Sequence, residues 1–552
     1  LDGVTLLLGA AAIASVGFHS TLALGRADVD RYESPLMLSV GRQLAAGPRG
    51  LYGPFGGSNP LVLIHAPLYY RAAALLAWPL ARAGLHPVDA ARLAGRSLSA
   101  LSLVATMGAA YRLGRLGGLP PRAGRWAALL VAASPVLAGQ PFAVRPDMAG
   151  VALQSWGVVL ALEAMAGAAE TPSRRMAAAS VLFGLSACVK QHLVVAWSVS
   201  VALSVWGWAR RRLGPGAAVR MVLPGAAVAG LIYGAEWLFT GGRVWDATFV
   251  AAANVGRVHP GGWLHVATVV AAVAGKSSGL AALAVAGAAM KRQWSPGLAS
   301  LLVAIIAALS VAQLAIPAPW ITAMLPVVSL AGLVVALPGC ASAVRGSPPT
   351  NRIDAAIGLY CGSELLILIV LCRSSSGSWI NYGIPGILFA AVLAARSLAV
   401  AADKMPRLGR AIAAVGAIAV LASVLMDAKV ESNRRRAEHA DLARVFESTS
   451  LPPSACFFAD RPGLNRMSGR LEWVYDDWLY PAFESLKLAE PRNRWLRSML
   501  GRPGGVRAVV LESDSPRIDG IPETLPALGF STAGRSGPFR IWILGTPSPG
   551  AP

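Results

Sequence analysis

Four short stretches place chemically capable groups where a bilayer makes charge costly. Arg145-Pro146-Asp147 lies between two long apolar runs, Trp126 to Gly139 and Met148 to Ala166. A carboxylate and a guanidinium at the mouth of a membrane span must be paired or wetted, which marks them as a candidate functional site. Asp28, Asp30 and Glu33 follow directly after the first apolar run. Acids so placed suit a general base or the oxygen ligands of a divalent cation, Mg or Mn. A solvated helix start and a charged helix cap would use the same residues. The functional reading gains weight because the topology below puts both clusters on one side of the membrane.

Lys190, Gln191 and His192 sit at the tip between two short apolar runs, where a lysine either snorkels to the interface or meets a phosphate. Lys276, in Gly275-Lys-Ser-Ser, resembles the end of a phosphate-binding loop. However, Val270 stands where that motif needs its first glycine, so a nucleotide site is excluded and only a weaker anion candidate remains. His65, Tyr69 and Tyr70, in an aromatic, proline-containing segment, suit the interfacial belt and a ring-shaped ligand. Asn381 and Tyr382 close a short polar loop that, by its residues alone, is an ordinary turn. No Ser/His/Asp pattern and no zinc-type Cys/His spacing is present.

The elements that must position these groups are apolar helices. The chain has 552 residues, 55% hydrophobic and 14% charged, with a mean hydropathy of +0.55, well above a soluble domain. Candidate spans fall at 3–24, 95–113, 125–140, 148–168, 176–189, 192–209, 219–240, 264–289, 298–316, 319–341, 353–372, 381–401 and 409–427. The formal net charge of +21 is not a nucleic-acid face, because its basic residues gather in short loops between the spans. Six consecutive alternate loops are basic, which puts the N-terminus in the cytoplasm and the C-terminus outside. The first outer loop, 25–94, also carries arginines, which a long loop tolerates. The first span lacks the flanks of a signal peptide. Spans five and six are too short to be two upright helices, and we read them as a hairpin with Lys190 at its tip.

Residues 1–427 are therefore expected to form a membrane module and 428–552 a small α/β domain outside it, with strands near 455–459, 506–511 and 539–544. All five cysteines read as buried apolar side chains. Cys361 and Cys372 would lie about 16 Å apart along a helix, beyond disulfide reach.

The order of these features resembles the GT-C class of polytopic membrane glycosyltransferases. The likeness is to the bacterial group related to protein O-mannosyltransferases and lipid A aminoarabinose transferases. It rests on the first-loop acids, Pro67-Leu-Tyr-Tyr70, Arg145-Pro-Asp147, Lys190-Gln191, Asn381-Tyr382 and the tail segments Phe458 to Gly469 and Tyr475-Asp-Asp477. The resemblance implies an all-α polytopic membrane protein of about 13 transmembrane helices, with a small C-terminal extracytoplasmic α/β domain. It implies transfer of a sugar from a polyprenyl-phosphate donor to a lipid, glycan or protein acceptor, with inversion. Asp28, Asp30 or Glu33 would be the base. The acids are spaced Asp-x-Asp-x-x-Glu rather than as the adjacent Asp-Glu common in that group, so the base is not singled out. Asp147 would be the second acid, placing the acceptor or joining Asp30 at a cation. Arg145, Lys190 or Lys276 would face the departing phosphate, Arg145 being also the natural partner of Asp147. The competing reading is a transporter or flippase for lipid-linked or anionic solutes, which would show duplicated halves and broken helices. A non-catalytic polyprenyl-lipid-binding assembly protein is the third.

Overall fold

A computed structural model describes residues 3–24, 34–52, 63–139, 143–166, 172–277, 349–376, 380–404, 406–449, 457–459, 508–512, 525–536 and 539–544, with a few single residues between. The chain divides into two compact units. The first comprises Leu1–Leu24, Arg96–Ala235 and His259–Lys429; the second comprises Gly25–Gly95, Glu236–Val258 and Val430–Pro552.

The helices, in chain order, are α1 Gly3–Leu24, α2 Ser34–Ala46, α3 Leu68–Arg82, α4 Pro87–Arg115, α5 Pro121–Ala133, α6 Pro135–Ala138, α7 Asp147–Met165, α8 Pro172–Val189, α9 Val194–Ala209 and α10 Gly216–Thr240. They continue with α11 Arg243–Trp245, α12 Ala252–Val258, α13 Trp263–Lys276, α14 Pro349–Ser374, α15 Ile384–Lys404 and α16 Pro406–Thr449. Among the described residues eight helices are long and apolar enough to cross a membrane. Helices are what such runs must form, because a bilayer offers no partner to an unbonded backbone group. The fold is that of a polytopic all-α membrane protein with a small strand region at its C-terminal end.

Within the first unit α7 is largely buried, packed along α8 and touched by α9 and α15. Small residues let the backbones close up. A Cβ on Gly184 of α8 would lie 2.3 Å from the carbonyl oxygen of Gly225 of α10, so only glycine permits this crossing. The α8–α9 pair is the expected hairpin. Arg220, in the first turns of α10, donates to Ser173 Oγ at the start of α8 (2.9 Å). Because α9 ends just before α10 begins, both open ends of the pair lie together and Lys190 is at the opposite tip.

The second unit contains a four-stranded sheet, β1 Phe457–Ala459, β2 Ala508–Glu512, β3 Phe530–Ser536 and β4 Phe539–Leu544, in the order β1-β2-β4-β3. β1 and β2 are parallel, and the other pairs are antiparallel. Three strands match the sequence expectation; β3 was not expected. The boundary expected after residue 427 falls within a helix, and the two units divide between Lys429 and Val430. The helix α16 runs through it, because the Glu-, Arg- and Ala-rich sequence after Asp427 is itself helix-forming. In addition, 25–95 and 236–258 group with the tail rather than with the membrane module. Span 319–341, and span 298–316 apart from Ile305 and Ala308, lie outside the described residues.

Candidate functional site

Asp147 is the first residue of α7, where the helix dipole favours a carboxylate. The approach to it is fixed. The backbone N–H of Arg145 donates to the Ala143 carbonyl (2.9 Å), and Ser99 Oγ of α4 donates to the carbonyl of Arg145 (3.1 Å). Opposite stands the hairpin tip. Lys190 has extended backbone angles, φ −155° and ψ 122°, and ends α8. Ser186 Oγ donates to the Gly150 carbonyl (2.8 Å). A Cβ on Gly150 would fall 2.2 Å from Leu193 Cδ1. Gly150 thus packs closely against the Leu193 side chain of the tip.

With the tip seated, Lys190 Nζ reaches Asp147 Oδ1 at 2.5 Å, with the two side chains only 3% and 5% exposed. A short helical turn, Ile380–Gly383, closes the site from the start of α15. Asn381 Nδ2 donates to the same Oδ1 (3.1 Å), and the Tyr382 ring lies 4.4 Å from the lysine nitrogen. His192 packs on Tyr382 with ring centroids 4.6 Å apart. A buried ion pair is tolerable when further hydrogen bonds and a ring face compensate its desolvation, and here both are present. Both bonds to the carboxylate end on Oδ1, and Oδ2 accepts none from the described residues. The result is a charged group locked at one oxygen and open at the other. Such a group is suited to receive a hydroxyl without rearranging.

The structure thus brings together Asp147, Lys190, His192, Asn381 and Tyr382, with Gln191 in the tip between them and Arg145 two residues before the acid. It reverses one expectation. Lys190, expected to face a phosphate, holds Asp147, because α8 delivers it across 43 residues of sequence. Lys276 lies elsewhere in the unit, with Nζ 2.5 Å from Asp427 Oδ1, while His19 Nε2 stands 3.4 Å from Oδ2 of the same acid. In the second unit Tyr69 and Tyr70 are buried, and Tyr69 donates its hydroxyl to the Gly95 carbonyl (2.9 Å). His65 stacks on Tyr70, and its carbonyl accepts from Tyr52 (2.6 Å). Asp28, Asp30 and Glu33 lie outside the described residues. Among the described residues no three His, Cys, Asp or Glu side chains gather as metal ligands. An ion at Asp147 would have only Oδ2 to bind.

Sequence reading passed over three further clusters. Gln154, two turns below Asp147 on α7, donates to Glu364 Oε1 (2.6 Å) and to the Leu193 carbonyl (3.3 Å). Glu364, like Asp427, was visible as an acid within an apolar run. In the second unit Arg71 donates to both carboxylate oxygens of Glu236 (2.7 and 2.6 Å) and to Gln43 (2.7 Å). At the far end of the helices the buried Arg396 donates through Nε to Asp354 (2.5 Å).

No family model and no curated protein matches this sequence. Solved structures do match its fold. ArnT from Cupriavidus metallidurans, bound to undecaprenyl phosphate, is 14% identical with a TM-score of 0.58, over 99% of this chain and 98% of that one. The archaeal oligosaccharyltransferase AglB from Archaeoglobus fulgidus, in complex with an inhibitory peptide and a dolichol-phosphate, is 12% identical with a TM-score of 0.50, over 98% of this chain and 74% of that one. Both are GT-C glycosyltransferases, and the fold of this chain is the GT-C fold.

Proposed function

From a GT-C fold that holds a rigid Asp147–Lys190 pair, we propose that this protein is a glycosyltransferase. It moves a hexosyl or pentosyl group from a polyprenyl-phosphate-linked donor to an acceptor on the extracytoplasmic face, with inversion at the anomeric carbon. The observation that carries the reading is the likeness, along nearly the whole chain, to ArnT captured with undecaprenyl phosphate. AglB, held with a dolichol-phosphate, supports the same class of lipid. The alternating basic loops support the inner membrane and a cytoplasmic N-terminus.

In this reading the acceptor hydroxyl oxygen forms the new bond to the anomeric carbon as the carbon–oxygen bond to the phosphate breaks. The proton passes to a first-loop carboxylate, Asp28, Asp30 or Glu33, and the electron pair leaves on the lipid phosphate. Asp147 holds the acceptor through Oδ2. Lys190 and Asn381 keep that carboxylate charged and aimed. Arg145, beside the acid in sequence, takes the phosphate-facing role that Lys190 gives up.

Mass spectrometry of lipid co-purified with the protein, together with glycan analysis of a strain lacking it, tests the reading. A polyprenyl-phosphate species and a missing envelope glycan are expected. If the lipid is absent and the envelope glycans are unchanged, the proposal fails.

A further inference from the structure

Gln154 of α7 and Glu364 of α14 are both fully buried, at 0% exposure, inside apolar helices of the first unit. Polar groups at that depth are costly unless they are bonded, and these two bond to each other, Gln154 Nε2 donating to Glu364 Oε1 at 2.6 Å. The transfer chemistry uses neither. We propose that they are positioning residues for the Asp147–Lys190 pair: Glu364 fixes the Gln154 amide, and the amide tethers the hairpin tip that delivers Lys190. The inference rests on the functional reading above, because it concerns the same centre.

An amide nitrogen carries two hydrogens. Gln154 gives one to Glu364 and the other to the Leu193 carbonyl at 3.3 Å. With the first hydrogen held by the carboxylate, the second is aimed at the tip. Leu193 belongs to that tip. Its own N–H donates to the Lys190 carbonyl (3.1 Å), closing the short turn Gln191–Leu193. The path from Glu364 through Gln154 and Leu193 to Lys190 therefore ends on Asp147.

Asp147 and Gln154 lie on the same helix, so the tip is fastened to α7 at two points about 10 Å apart along its axis. The ion pair alone would not fix the backbone, because a lysine reaches its partner on a flexible four-carbon stem. Ser186 secures the α8 side of the tip through the Gly150 carbonyl; the Gln154 tether secures the side that leads into α9. One turn before Glu364, on the same face of α14, the Tyr360 hydroxyl meets Ser200 Oγ of α9 at 2.8 Å. That bond joins α14 to α9 without involving the tip, and supplies an internal control.

Acylation of Lys190 by acetic anhydride, in the protein held in lipid nanodiscs and read by peptide mass spectrometry, tests the tether without any substrate. Lys190 is 3% exposed and should label slowly. Gln154→Met and Glu364→Met keep the length of the side chain and remove its polar end. Each should raise the rate about fivefold, the effect of losing one buried hydrogen bond; should one variant fail to fold, the other carries the test. The double variant should label like Gln154→Met alone, because Glu364 acts only through the amide. Glu364→Gln retains an accepting carbonyl and should restore protection, and Tyr360→Phe should leave it intact. Turnover at saturating donor and acceptor should follow the labelling, falling about tenfold in the two methionine variants and holding in Tyr360→Phe. Unchanged labelling in either methionine variant, additive increases in the double variant, or an equal rise in Tyr360→Phe would overturn the proposal. Such a failure counts against the tether and leaves the transfer chemistry standing, since the labelling does not depend on it.

Discussion

The two ends of α7 handle buried acid in opposite ways. Glu163, in its last turn, has both oxygens occupied: Oε1 accepts from Arg112 at 2.6 Å, and Oε2 accepts from Arg175. Nearby helices end in the same manner. Arg122 pairs with Asp403. The fully buried Arg396 donates through Nε to Asp354 (2.5 Å) and through Nη1 to the carbonyls of Leu113 and Leu116, each at 2.7 Å. Those carbonyls lie in the last turn of α4 and just beyond it. At the other end of α7, Asp147 takes two donors on one oxygen and leaves the second open. Charge at the first end fastens helices together. At the second it is held through one oxygen, and the other takes no bond from the described residues.

That contrast can be broken, starting where the effect should be largest. Asp147→Asn removes the charge that would hold the acceptor, and turnover per folded molecule is expected to fall by about 10²-fold, together with a stability loss of about 3–5 kcal/mol from the uncompensated Lys190. Near-normal turnover would remove Asp147 from the reaction. Lys190→Met leaves a buried carboxylate uncompensated, a loss of about 3–5 kcal/mol where one member of such a pair is removed. Turnover should drop at saturating donor and saturating acceptor alike. If only the apparent donor requirement rises, the lysine is a phosphate ligand and the pairing is secondary.

Arg396→Met sharpens the comparison from the other side. It should cost a similar 3–5 kcal/mol, visible as a lowered Tm, while activity per folded molecule at a permissive temperature is unchanged. A selective loss of turnover there would mean that the two ends are coupled. Glu163→Gln should matter least. Its arginines are 52% and 36% exposed, and solvent screening leaves such pairs worth about 0.2–1 kcal/mol. A Tm shift as large as that of Arg396→Met would show that exposure is a poor guide at this end.

Much of the membrane scaffold was legible because apolar run length dictates it. The first span, 3–24, coincides with α1, and the α8–α9 hairpin followed from basic residues at both open ends. The site was legible as a set of residues but not as a set of bonds. Asp147 and Lys190 stood out by type, and Asn381 and Tyr382 only through the family resemblance, yet the bonds to Asp147 span separations of 43 and 234 residues, over which no local pattern operates. Lys276 found its acid 151 residues away for the same reason. Tyr69 and Tyr70 drew attention as aromatics, but an aromatic fills a core as readily as it stacks on a ligand. The strand β3, Phe-Ser-Thr-Ala-Gly-Arg-Ser, has one large apolar residue and is mostly exposed at the sheet edge, so it gave no alternation to read.

The placement of Asn381 also bears on the order in which the protein is made. Asp147 and Lys190 emerge from the ribosome early, whereas the amide that shares Oδ1 with the lysine follows Asp147 by 234 residues. A nascent chain therefore carries an acid and its cation long before it carries the clamp that steadies them. Maturation of the centre is deferred until the late helices insert, and a prematurely terminated chain is left with its charge in the membrane and no finished site around it.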